Sequence, residues 1–174
     1  SGVTPDVVCL AKALGGGISV AAIGGTSEVM SAIADGRYEQ VGTFNGNPLA
    51  MAATRANLSE VLTPEGYAHL DRLAARLRSS LEATIAEYGY GWHVVSIGAK
   101  GCVAFRTEPV REFRDFLEID TNIGHLHWLM QHNGGVFLPP WGKIEQWLLS
   151  VQHTEADVDR FAANFARLAT SVAD

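Results

Sequence analysis

Val7-Val8-Cys9-Leu10-Ala11-Lys12-Ala13-Leu14-Gly15-Gly16-Gly17 is the stretch whose reading decides the fold. Four apolar residues, two of them β-branched, run unbroken from 7 to 10 between Pro5-Asp6 and a glycine cluster. Such a run reads as a strand buried on both faces, and hence as a parallel strand. A lysine then stands at the strand's carboxyl end, where open α/β sheets place their ligands. A lysine in partly apolar surroundings gives up its proton more readily and can attack a carbonyl. Three glycines after it let backbone approach a flat ligand closely. The same residues also fit a surface lysine before an ordinary glycine turn. They are not a P-loop, because no Gly-Lys-Ser/Thr follows, and they do not spell the dinucleotide fingerprint.

Outward from this stretch, Val20 to Ile23 reads as a second short buried strand closed by Gly24-Gly25. Ser27 is placed to cap a short helix that ends at Asp35-Gly36. Gly42-Thr43-Phe44-Asn45-Gly46-Asn47-Pro48 is a polar, glycine-punctuated loop, with Asn47 as an N-cap and Pro48 at the first helical position. A threonine hydroxyl and loop N–H groups before a helix start can bind phosphate, or the segment is a plain capped loop. Leu49, Ala52, Ala53 and Ala56 form a small-residue face on the helix that follows. Thr63 caps the next helix, in which Leu70, Leu73, Ala74, Leu77, Leu81, Ile85 and Tyr88 keep helical spacing until Gly89.

From there the composition changes. Val94 to Ile97 and Cys102 to Phe105 read as a hairpin. Thr121 caps a helix ended by Asn133-Gly134-Gly135. Val136-Phe137-Leu138, stopped by Pro139-Pro140, and Trp147 to Val151 read as strands. Thr154 and Asp157 resemble a capping box, and Val158, Phe161, Ala162, Phe165 and Leu168 line one face of a last helix. Two regions result: residues 1–62, with two strands, a loop and a helix, and residues 63–174, a self-contained α+β unit.

The whole chain has 174 residues, about one domain's worth, with 13 Lys+Arg against 19 Asp+Glu and a net charge of −6. That excludes a nucleic-acid binder held by a general basic field. Apolar residues make up 47% and charged residues 18%, which favours a packed core over disorder. No apolar run approaches the ~20 residues of a membrane helix and no secretory signal opens the chain, so neither membrane nor export is expected. The two cysteines, Cys9 and Cys102, lie far apart in apolar runs. They read as core residues in a reducing cytoplasm, not as a disulfide framework.

Other constellations carry less. His125 and His127 point apart on a helix, and no Cys/His set has zinc spacing, so no metal site is expected. His153 reads as a polar helix entry. Trp141-Gly142-Lys143 is a loop that could line a substrate mouth or be an exposed turn. No serine or cysteine sits in a nucleophile motif.

Taken together, the segment Thr4 to Gly17 resembles the lysine segment of fold-type-I pyridoxal-phosphate enzymes, specifically class-III aminotransferases. Gly42 to Pro48 resembles that family's phosphate loop. Gly98-x-x-Gly101 before a strand fits, and Ser150-Val151-Gln152-His153-Thr154 leading into the last helix is similar to the glutamate-1-semialdehyde aminomutase branch, which includes transaminases of β-amino acids. The resemblance covers essentially the whole chain.

It implies an α/β fold: the end of the large parallel-sheet, cofactor-binding domain (1–62) plus a small C-terminal α+β domain (63–174). It implies pyridoxal 5'-phosphate as cofactor, with Lys12 forming the Schiff base and moving the proton. Gly42 and Thr43 would belong to the phosphate site, commonly that of the partner subunit, so that a homodimer shares its active sites. Substrates would be a small amino acid and a keto acid or semialdehyde, with Arg37 or Arg106 as candidates to grip a carboxylate.

One departure stands out. The family's pyridine-nitrogen aspartate, upstream cofactor loop and stacking aromatic should all precede Lys12, and Asp6 lies in the same strand, too near in sequence to serve. The sequence therefore resembles the C-terminal half of such an enzyme, inactive by itself. Three functions stay open: a transaminase, an aminomutase acting within one substrate, and a non-catalytic C-terminal domain.

Overall fold

The computed structural model describes residues 2–139, 142, 144 and 146–173. The chain divides into two compact units, Ser1–Pro64 and Glu65–Asp174.

In the first unit, β1 (Val7–Ala11) pairs with β2 (Ala21–Gly25) from Val7↔Gly25 to Ala11↔Ala21. The pairing is antiparallel, which corrects the parallel reading. Residues 12–20 join the strands, too few for a parallel crossover, which takes about a dozen or more. Nor are the strands buried. Val7, Val8, Leu10 and Ile23 are 40 to 51% exposed, because within this unit a two-stranded ladder has no layer over either face. Cys9 is exposed with them, which corrects its reading as a core residue.

Helix α1 (Ser27–Ala34) is capped one residue earlier than expected, by Thr26, whose hydroxyl accepts from Val29 N–H at 3.4 Å. Helix α2 (Pro48–Ala56) starts as its sequence says: Asn47 Oδ1 accepts from the amides of Leu49 (3.0 Å) and Ala50 (3.2 Å). Its inner face is Ala50, Ala53, Thr54 and Asn57. Leu49, Ala52 and Ala56 are exposed, a correction to the face read from small residues alone. The helix runs straight into a π turn, Asn57–Val61.

The second unit is built on α3 (Pro64–Tyr88), whose Leu73, Leu77, Leu81 and Ile85 enter the core. Gly89, with a left-handed φ of 68°, ends it, and Tyr90 N–H closes back onto Ile85 C=O at 3.1 Å. A two-residue turn at Gly98-Ala99 joins β3 (His93–Ile97) to β4 (Lys100–Ala104). Strand β5 (Gln146–Leu148) adds to β4, giving an antiparallel sheet in the order β3-β4-β5. Helices α4 (Phe113–Leu117) and α5 (Thr121–Asn133) follow β4, and α6 (Glu155–Ala173) ends the chain. Asp120, not Thr121, caps α5, accepting from Asn122 N–H at 2.8 Å.

Contacts at both ends set α6 beside α3 in the same direction: Arg76 pairs with Asp159, and Tyr88 meets Thr170. Val158, Phe161, Phe165 and Leu168 bring the α6 face into the core, as their spacing predicts. The capping box is half formed. Thr154 gives both its N–H and its hydroxyl to Asp157, each at 2.8 Å, and these bonds hold the Asp157 carboxyl below its ordinary range.

Val136-Phe137-Leu138 is not a strand. Its polar backbone is satisfied by the end of α5 instead, with Val136 N–H on Gln131 C=O (2.8 Å) and Leu138 N–H on His132 Nε2 (3.3 Å). Pro140, Trp141 and Lys143 lie outside the described residues.

A polar network that the sequence did not announce runs through this core. Gln131 Nε2 donates to Phe161 C=O at 3.1 Å, and Asn164 Nδ2 donates to Gln131 Oε1 at 3.2 Å. The remaining N–H of Gln131 faces His127 Nε2 at 3.2 Å, so that ring nitrogen accepts and the proton sits on Nδ1. Among the described residues Nδ1 has no partner. His127 is 1% exposed among Phe105, Phe161 and Phe165, and burial lowers its pKa to about 4. No described helix is long and apolar enough to cross a membrane.

Candidate functional site

Lys12 opens a 3-10 turn, Lys12–Gly15, directly after β1. Its φ is +55°, and it is the one non-glycine residue among those described with a left-handed backbone. L-residues avoid that region because Cβ crowds the carbonyl, so the surroundings must hold it there. Its side chain is exposed and has no hydrogen-bond or ion-pair partner among the described residues, which leaves a free amine at the end of a strand.

What holds the turn is a residue the sequence reading passed over. Asn57 is buried at the junction of α2 and its π turn. Its Nδ2 donates to Ala13 C=O at 2.7 Å and Leu14 C=O at 3.1 Å. Gly16, also left-handed at φ +58°, leaves room for it, since a Cβ there would lie 3.2 Å from Asn57 Cγ. The available signal was position: Asn57 stands seven residues after buried Ala50, on the inner face of α2.

The loop before α2 folds as a tight turn over Thr43–Gly46. Asn45 N–H bonds Gly42 C=O at 3.0 Å and Asn47 N–H bonds Phe44 C=O at 3.1 Å. A Cβ at Gly42 would come within 2.8 Å of Asn45 Oδ1, so the glycine lets the Asn45 side chain lie close over the turn. The Thr43 hydroxyl and the amides of Thr43, Phe44 and Gly46 have no partner among the described residues. The first free amides of α2 are already taken by Asn47, so an anion at this loop depends on those open donors.

Lys12 and this loop line neighbouring hollows of the first unit. Lys12 lines one with Ile18 to Ala21, and Phe44 and Asn45 line the other with 19–23 and Met51. Ser19, Val20 and Ala21 are common to both. The donor chemistry fits part of a phosphate-bearing aldehyde cofactor: an unpaired amine for the aldehyde, and a hydroxyl with three amides for the phosphate. Asp6 lies six residues before Lys12 along the strand, about 20 Å away at ~3.3 Å per residue, and does not serve as a counter-charge.

The other candidates are engaged elsewhere. Arg37 holds Ser31 and Asp35 on the surface. Arg106 is mostly buried and spans α4, with the Asp115 C=O at 2.6 Å and the Glu118 carboxylate at 3.3 Å. His153 Nδ1 accepts from Ser150 N–H at 2.9 Å and shapes the entry to α6. Cys102 is half-buried, and burial raises its thiol pKa. His125 and His127 do not converge; His127 is in the core network described above.

A family model for class-III aminotransferases matches residues 1–145. A curated relative, glutamate-1-semialdehyde 2,1-aminomutase of Thermomicrobium roseum, is 38% identical over 161 residues, covering 91% of this chain and 37% of its own length. Among solved structures, a β-phenylalanine aminotransferase from Variovorax paradoxus superposes with a TM-score of 0.87 at 31% identity, over 98% of this chain and 39% of that one. A glutamate-1-semialdehyde aminomutase variant from Pseudomonas aeruginosa PAO1, in complex with PMP, gives a TM-score of 0.81 at 28% identity, over 96% and 39%. The chain thus spans somewhat over a third of the length of the relatives it matches.

Proposed function

This chain belongs to the class-III aminotransferase family, and from that premise we propose that it carries the lysine and part of the phosphate-binding set of a pyridoxal 5'-phosphate-dependent amino-transfer site. The carrying observation is Lys12: an unpaired amine at the end of β1, in a left-handed conformation that the surrounding turn maintains. When bound, the cofactor supplies an electron sink for the bonds at the substrate's amino-bearing carbon.

Lys12 Nζ would hold the cofactor covalently, and as a free amine it would move a proton at the substrate's amino-bearing carbon. The Thr43 hydroxyl and the open amides of Thr43, Phe44 and Gly46 bind phosphate, and Gly42 C=O closes their turn by accepting from Asn45 N–H. As the family resemblance implies, we assign Thr43 to the cofactor of a partner subunit in a homodimer with shared sites. The first unit is then the end of the cofactor-binding domain and the second the small domain. With no ring-nitrogen carboxylate near Lys12 among the described residues, we assign activity to a longer protein that contains this chain and expect the chain alone to be inactive. Two free cysteines, one of them exposed, support a reducing cytoplasm as its setting.

The substrates are a small amino acid and a keto acid. A second reading, amino transfer within one semialdehyde substrate, is supported by the 38% identity to an aminomutase. The test is the visible absorbance of cofactor bound to the longest protein carrying this sequence. Lys12→Ala should abolish the lysine-linked band and turnover. Dependence of turnover on an added keto acid selects transamination, and independence selects the second reading. Wild-type protein with no cofactor band would leave a non-catalytic domain.

A further inference from the structure

We propose that Asn57 is a positioning residue for Lys12: its carboxamide holds the turn that keeps the lysine in the left-handed conformation. The inference rests on the reading of Lys12 as the cofactor lysine.

The turn's own bonds are few. Gly16 N–H reaches Ala13 C=O at 3.2 Å, and Ile18 N–H reaches Gly15 C=O at 3.1 Å. Neither fixes φ at Lys12. Asn57 adds what is missing, with one amide nitrogen on two successive carbonyls at 2.7 and 3.1 Å, 44 and 43 residues away in sequence. Those two carbonyls belong to the second and third peptide units after Lys12, so the bonds tie the turn that follows the lysine to the end of α2.

The arrangement is closed from both sides. A Cβ at residue 16 would crowd the Asn57 side chain at 3.2–3.3 Å, so the glycine lets the carboxamide sit close against the turn. On its own side Asn57 is anchored in the π turn, where its C=O accepts from Leu62 N–H at 2.9 Å. Asparagine is a poor helix former, and a π turn interrupts regular helix bonding. Both local costs are borne at a residue that hydrogen-bonds the lysine turn. If the donors are removed, φ at Lys12 can relax from +55° toward the ordinary −60°, a swing of roughly 115° that re-aims Nζ.

The experiment uses the longest protein that carries this sequence, as wild type, Asn57→Ala and Asn57→Thr, which keeps one hydroxyl donor. Three quantities are read: the pH midpoint of the bound cofactor's visible absorbance, the labelling rate of Lys12 relative to Lys100 in cofactor-free protein, and hydrogen exchange at the Gly16 and Ile18 amides. Two lost hydrogen bonds predict about a tenfold change in Lys12 labelling and about tenfold faster exchange in Asn57→Ala. The pH midpoint should move as well, and Asn57→Thr should lie between. The unfolding midpoint of Asn57→Thr should stay near wild type, which separates positioning from general loosening. Unchanged labelling and pH midpoint in both variants would overturn the proposal. If wild type instead carries its cofactor on another lysine, the reading of the site fails, and labelling of cofactor-free protein still decides whether Asn57 governs Lys12.

Discussion

Lowering the pH from 7.5 to 5 should destabilise this chain through His127, and replacing that residue by phenylalanine should remove the effect. His127 is 1% exposed, its Nε2 accepts from Gln131, and its Nδ1–H has no partner. Burial brings its pKa in the folded state down to about 4, against 6.5 when exposed. Between those values the unfolded chain binds a proton that the folded chain refuses. Stability is therefore fully present above pH 6.5 and is lost as the pH falls toward 4. The 2.5-unit gap corresponds to about 3 kcal/mol across the whole window at 1.36 kcal/mol per unit, and about 2 kcal/mol is lost by pH 5.

The assay is urea unfolding at pH 7.5 and 5, followed by tryptophan fluorescence, on wild type and His127→Phe. Phenylalanine suits a site ringed by Phe105, Phe161 and Phe165 and carries no N–H to leave unpaired. It also removes the acceptor for Gln131, but that cost does not vary with pH. The wild-type minus variant difference should shift by about 2 kcal/mol between the two pH values. An unchanged difference, or an imidazole that titrates near 6.5 in the folded chain by NMR, would refute the reasoning.

Three further outcomes follow from the geometry. Thr43→Val in the full-length protein keeps the volume and removes the hydroxyl; a hydrogen bond to a charged group is worth ~1.5–3 kcal/mol, so cofactor affinity should fall by about one to two decades in equilibrium titration. Hybrids of a Thr43 variant with a Lys12 variant should regain some activity if sites are shared, since one of their two sites carries neither lesion, and inactive hybrids would place each site within one chain. Gly101→Ala sets a Cβ against the Trp147 ring at Cζ2 and 2.8 Å from Val95 C=O, so urea unfolding should show a loss of about 1–3 kcal/mol; wild-type stability would mean that the β4–β5 contact is loose.

The parts of this fold legible in the sequence are those where one local rule decides. The α3 and α6 faces follow from leucine and phenylalanine at helical spacing, because strong apolar contrast fixes the buried side. Helix α2 defeated the same reasoning: alanine on every side gives no contrast, and the inner face is marked by a polar residue, Asn57. Apolar content found β1 and β2 but could not give their direction, although the short link between them, residues 12–20, carried that information. Caps shifted by one residue where two capping types adjoin, Thr26 beside Ser27 and Asp120 beside Thr121.

The Val136–Leu138 run missed because β-propensity says nothing about His132 and Gln131, which take up its backbone groups. The network of His127, Gln131 and Asn164 was illegible for a related reason. Polar side chains read as surface until the partners that satisfy them are known. For the site, Lys12 and the 42–47 loop stand out by residue type, whereas the contact that holds Lys12 joins residues 44 apart in sequence.

Lys12 is the central residue of the site, and one measurement addresses it directly. The longest protein carrying this sequence is loaded with pyridoxal 5'-phosphate, reduced with borohydride, digested, and mapped by mass spectrometry. The chain described here has three lysines, Lys12, Lys100 and Lys143. The pyridoxyl mass should fall on the peptide containing Lys12, at close to one label per subunit. A label on Lys100 or Lys143, or no label on this chain at all, would contradict the account.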